Sequence, residues 1–159
     1  MTRLLPLVPL FLASCSHPPP TAEECKALIE PKAVIDRCYG GDLRSGKYVG
    51  DLKCLPYGAS QRLRGLWLID LEASEFFPNA KTIKQGAESP IWLETKLLDR
   101  PSSELLDAAQ GAGRRVYAVE FQGRQSLCDG GGYGHMGMSP KQVIVERFYS
   151  MRLLAGPTP

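Results

Sequence analysis

Three segments of this chain carry apolar residues in a pattern that a β-strand explains better than a helix. Residues 115–122 put Tyr117, Val119 and Phe121 on one side and Val116, Ala118 and Glu120 on the other, the two-residue period of a half-buried strand. Residues 62–71 put Leu63, Trp67 and Ile69 on one face and Leu66 and Leu68 on the other, so this strand is expected to be central and covered on both sides. Gly65 in its middle marks a bulge or a close approach of neighbouring backbone. Residues 142–154 form a last strand, rich in β-branched and aromatic residues and punctuated by Arg147 and Arg152. Two weaker segments are 48–55, closed by Pro56-Tyr57-Gly58, and 90–96, which holds Ile91, Trp92 and Leu93.

Helical signals are short. Thr21-Ala22-Glu23-Glu24 matches a capping box, with Thr21 as N-cap and Glu24 at N3. Cys25, Ala27 and Leu28 would form the inner face of that helix, and Pro31 stops it. Residues 32–37 fit either state, and Tyr39-Gly40-Gly41-Asp42 is a turn. Ser102 can cap a helix over residues 103–110, with Leu105, Leu106 and Ala109 inward and Gly111 as its stop. Phe76-Phe77-Pro78-Asn79 is expected to be a loop whose phenylalanines cap the core or line a groove.

Four or five strands with so few helices leave no material for parallel crossovers, so antiparallel pairing is expected. The fold class is mainly β with a minor α component. A small antiparallel curled sheet or partly closed barrel fits, and an OB-like arrangement is open because that fold combines five strands with one inserted helix. Thirteen prolines and sixteen glycines agree with short strands and many turns.

The N-terminus constrains location rather than fold. Arg3 is the only charge before residue 15, and Leu4, Leu5, Leu7, Val8, Leu10, Phe11 and Leu12 follow it. This is a positive n-region and a short apolar stretch, much shorter than the ~20 residues of a membrane-spanning helix. It ends in Leu12-Ala13-Ser14-Cys15, which resembles the lipobox of bacterial lipoproteins. The resemblance covers the first fifteen or sixteen positions. It implies cleavage before Cys15, diacylglycerol on its sulfur, and, with Ser16 in place of aspartate, an outer-membrane destination facing the periplasm. Beyond the lipobox the body resembles small envelope lipoproteins, a likeness that carries no assigned activity.

The division expected is a signal peptide over 1–14, a lipidated, proline-rich tether over 15–21, one globular domain over 22–154 and a loose tail over 155–159. Ser16-His17-Pro18-Pro19-Pro20 favours an extended spacer, with His17 solvated on it. The signal takes away one of 19 basic and none of 17 acidic residues, so the mature chain is close to neutral. Nothing in that balance points to nucleic acid. The partners expected are the membrane, through the lipid, and an envelope protein or a cell-wall or glycan ligand.

With Cys15 lipidated, Cys25, Cys38, Cys54 and Cys128 remain, an even set that reads as two disulfides in an oxidising compartment. Four cysteines allow three pairings. The expectation is Cys25–Cys38 and Cys54–Cys128, the first closing the N-terminal segment on itself and the second tying a strand to a long glycine loop.

That loop, from Cys128 to Met138, is the one chemically suggestive stretch. Gly132-Tyr133-Gly134-His135-Met136-Gly137 matches G-x-G-x-x-G in form, but Pro140 and then Val143-Ile144-Val145 follow. A dinucleotide site needs a helix there, so that reading fails. His135, Met136 and Met138, with Cys128, are soft or borderline ligands suited to copper(I) or zinc. Cys128 with His135, or Asp129 with His135, is a conceivable catalytic pair. The simplest reading is a structural loop whose glycines allow tight turns. A loop this long is often functional, so the sharpest expectation is a binding surface made by Phe76, Phe77, Tyr133 and His135. No cofactor is expected, and a non-enzymatic binding or accessory module is favoured over a metal-handling or catalytic domain centred on His135.

Overall fold

The computed structural model describes residues 18–41, 48, 53–86, 90–95, 113–130 and 132–155. The signal, Cys15, His17, part of the strand expected at 48–55, the helix expected at 103–110 and the tail beyond Ala155 lie outside the described residues.

The chain enters through the capping box. In α1 (Ala22–Ile29) the Thr21 hydroxyl accepts from the Glu24 backbone N–H at 3.3 Å, and the Glu24 carboxylate accepts from the Thr21 N–H at 2.7 Å. Those bonds, the one from the Thr21 backbone first, hold the Glu24 carboxyl below its ordinary range. Pro31 then stands at the N-cap of α2 (Lys32–Cys38), so the proline that stops one helix opens the next. Its fixed φ suits a helix start as well as it disrupts a helix interior.

Five strands close into a barrel. β1 (Gln61–Asp70) pairs antiparallel with β2 (Ala73–Pro78) and with β4 (Arg115–Gln125). β2 pairs antiparallel with β3 (Ile91–Glu94), and β4 with β5 (Gln142–Ala155). β3 and β5 run parallel, with Leu93 opposite Val143, and complete the order β1-β2-β3-β5-β4. This corrects the purely antiparallel expectation. An odd number of strands cannot close with every neighbour antiparallel, so closure with five requires a parallel pair. The OB-like expectation is met in strand number and mainly-β class, and the barrel is closed.

Two other expectations are corrected. Phe76 and Phe77 belong to β2, not to a loop. Phe76 points into the barrel and Phe77 into a cluster outside it, so burial on both faces erased the alternation that marks a strand. Lys53-Cys54-Leu55, the described end of the strand expected at 48–55, is a turn.

The barrel core gathers Trp67, Phe76, Leu93, Tyr117, Val119, Phe121, Val143 and Val145. Phe76 meets Phe121 edge-on at 5.0 Å, and Phe148 stacks on Trp67 at 5.8 Å. Gly65 is the close approach anticipated: a Cβ there would lie 2.2 Å from the Phe77 carbonyl oxygen. Leu66, Leu68 and Phe77 make the outer cluster with Ile83 of α3 (Ile83–Gly86), so β1 is covered on both faces. A third cluster joins Cys38, Tyr39, Tyr48, Leu55 and Tyr133, and binds α2 to the glycine loop.

The disulfides are Cys25–Cys128 and Cys38–Cys54, with Cα atoms 5.5 and 5.7 Å apart. Both differ from the expected pairing. The third cluster brings the turn holding Cys54 to α2, and the start of the glycine loop lies on α1 beside Leu127 and Lys141. Tertiary placement, invisible in cysteine spacing, decides the partners. Among the described residues, no helix is long and apolar enough to cross a membrane.

Candidate ligand-binding site

The glycine loop is fixed at several points before it reaches the surface. Cys128 anchors it to α1, and the Gly130 N–H donates to the Pro140 carbonyl at 2.8 Å. Tyr133 and Ser139 exchange two backbone hydrogen bonds of 3.2 and 3.0 Å. The Tyr133 ring is fully buried and meets Tyr48 edge-on at 5.2 Å. Its hydroxyl donates to the Cys128 carbonyl at 3.3 Å. Burial chiefly pushes that phenol well above its usual range, as it does Tyr57.

The loop tip is a 3₁₀ turn, His135–Gly137, entered through Gly134 at φ +76°. A Cβ on Gly134 would stand 2.4 Å from the Trp92 indole. Glycine is therefore required twice over, by the left-handed backbone and by the ring pressed against it. Met136 also sits at φ +55°, a sparsely populated conformation for a side-chain-bearing residue.

The tip closes one side of a pocket of about 300 Å³ at the barrel mouth. β1 supplies Trp67 and Asp70, the tight β1–β2 turn supplies Leu71 and Glu72, and β3 supplies Trp92 and Glu94. Trp67 is oriented by its Nε1–H, which donates to Ser74 Oγ at 3.0 Å, and Ser74 Oγ donates to the Leu93 carbonyl at 2.6 Å. His135 Nε2 lies 3.7 Å from Glu72 Oε1, an ion pair when the imidazole is protonated. Three carboxylates and no lysine or arginine line the pocket among the described residues. Leu71, Met136 and Met138 are exposed at 93%, 67% and 81%.

No family model, curated protein or solved structure matches the chain.

Of the four residues expected to form a binding surface, only His135 reaches the pocket. Phe76 is in the barrel core, Phe77 in the outer cluster and Tyr133 under α2, all buried. Cys128 is held as a disulfide, so its sulfur is not the thiolate that either a metal site or a thiolate–imidazole pair would use. Asp129 lies against Lys141 at 3.4 Å, and it is Glu72 that faces His135. Among the described residues, no three histidine, cysteine or carboxylate side chains converge as a metal site. Trp67, Trp92, Glu72, Asp70 and Glu94 escaped the sequence reading, because they come from strands and turns far from residue 135.

Proposed function

We propose that this chain is an envelope lipoprotein, anchored through Cys15 in the outer membrane and facing the periplasm, whose barrel mouth binds a saccharide segment of the cell wall without transforming it. The observation that carries this reading is the pocket of Trp92, Glu72 and His135, preformed by the pinned loop behind it. Trp92 is half-buried, with Gly134 against its ring, and its remaining indole surface offers an apolar contact to a sugar ring, while carboxylates and imidazole meet the sugar hydroxyls. In OB-like barrels the strand 2–3 face and the loops after strands 1 and 4 take oligonucleotides or oligosaccharides, and this pocket combines those same parts. Asp70, Glu72 and Glu94 repel a polyphosphate backbone, which favours the saccharide. Two disulfides agree with an oxidising compartment, and durable attachment follows from two or more acyl chains at Cys15.

The chain has two tryptophans; Trp92 lines the mouth and Trp67 reaches it from the barrel core, so indole emission reports on this site and on the core beneath it. Soluble cell-wall glycan fragments are expected to change the emission of the full lipidated chain saturably. Trp92→Ala should weaken binding by about tenfold or more, ~1.4 kcal/mol, and His135→Ala by less. Unchanged emission together with no co-sedimentation with purified wall would sink the proposal. Stoichiometric copper(I) or zinc uptake that His135→Ala abolishes would replace it with the metal-handling alternative at His135, Met136 and Met138.

A further inference from the structure

The chain is nearly neutral, yet its charge is segregated: the mouth is acidic and the outer wall of β1, β4 and β5 is basic. Leu63 and Met151 pack against the barrel core, so their neighbours Arg64 and Arg152 face outward. Arg64 is opposite Glu120, and Arg152 is opposite Ala118, so the two arginines flank β4 from either side. Their Cα atoms are about 10 Å apart across two strand spacings and about 7 Å apart along the strands. Each arginine side chain is long enough to meet the other over the methyl of Ala118.

A groove of about 720 Å³ lies there, with the Asn79 amide and the Ser150 hydroxyl at its edges. Glu120 is its one carboxylate among the described residues, and Glu120 already accepts from Arg62 Nε at 2.7 Å. No ion pair joins Arg64 or Arg152 to a described residue. The groove is thus rich in donors and poor in acceptors.

We propose that this groove binds a phosphate group of a soluble ligand, clamped between the guanidiniums of Arg64 and Arg152. Guanidinium forks match phosphate oxygens in charge and geometry; Ala118 gives the groove a small floor beside Arg152, and the Glu120 carboxylate beside Arg64 is already engaged by Arg62. The soluble source is favoured over the headgroups of the anchoring bilayer. Lys141, which shares a groove with Pro19 and α1 at the tether, stands roughly 35 Å of strand from Arg152. That last step rests on the Cys15 anchor; the site itself does not, and it is independent of the saccharide reading.

The test is calorimetric titration of the full chain with pyrophosphate at low ionic strength. Single-site binding is expected. Arg64→Gln combined with Arg152→Gln should weaken it by about tenfold or more, and the paired Arg→Lys variant should recover part of the loss. Trp92→Ala should leave it unchanged, which separates this site from the mouth. Absence of saturable binding overturns the proposal, and so does wild-type affinity in the folded Gln pair. Should the Gln pair fail to fold, the Lys pair decides: affinity equal to wild type overturns the clamp. Arginine-dependent binding to anionic vesicles without binding to pyrophosphate overturns the soluble source.

Discussion

At the scale of single residues, the site turns on Gly134. Its backbone lies in the left-handed region, and its missing side chain is the space in which the Trp92 indole rests. Gly134→Ala should therefore do two things at once. Backbone strain and the displaced ring should lower stability by about 1–3 kcal/mol. Indole emission should also shift in the absence of any ligand, because Trp92 lines the pocket. Denaturant unfolding and emission spectra of the variant check both; wild-type values in both would show that the ring is not held by this contact. Tyr133, its neighbour, illustrates how a residue can mislead. An aromatic flanked by glycines at a loop tip has the look of a ligand contact, yet it is the loop's buried root.

At the scale of elements, the disulfides make distinct contributions. Cys25–Cys128 closes a loop of 103 residues and Cys38–Cys54 one of 16. Chain-entropy arguments give about 4.7 kcal/mol for a loop of the first size and about 3 kcal/mol for the second. Replacing Cys25 and Cys128 together by alanine should cost more stability than replacing Cys38 and Cys54. It should also slacken the glycine loop, seen as faster amide exchange at Tyr133 and Ser139. Equal costs and equal exchange would refute that ranking. The strands at 62–71, 115–122 and 142–154 were legible because each has a continuous period or dense β-branched and aromatic content. β2 was not, since Phe76 and Phe77 are buried on opposite faces and Pro78 resembles a loop signal. The parallel β3–β5 pair and both disulfide pairings are properties of closure, which no local pattern encodes. In the site, His135 was legible from its glycine setting. Glu72 and Trp92 were not, because a tight turn and a four-residue strand meet the loop only after the barrel forms.

At the scale of the whole molecule, buried phenols set an alkaline limit. Burial pushes Tyr39 up to about 12, and chiefly burial raises Tyr57 and Tyr133 further. In the unfolded chain all three ionise near pH 10. Their neutral forms therefore support the fold fully below about pH 10, and that support is lost as pH rises toward and through 12. Tyrosinate absorbance from the buried group should appear together with loss of near-ultraviolet circular dichroism in one cooperative step. Reversible ionisation of all tyrosines near pH 10 with the dichroism intact would contradict the burial. The Cys25–Cys128 bond has one more effect, which is mechanical. Residues 26–127, and with them β1 through β4, lie inside the covalent ring that it closes. A pull between the N-terminus and any point beyond Cys128 runs from Cys25 straight across the sulfurs into the glycine loop and β5. Four of the five strands are left off the load path, and the loop that carries His135 becomes the first part of the barrel to feel a pull applied ahead of Cys25.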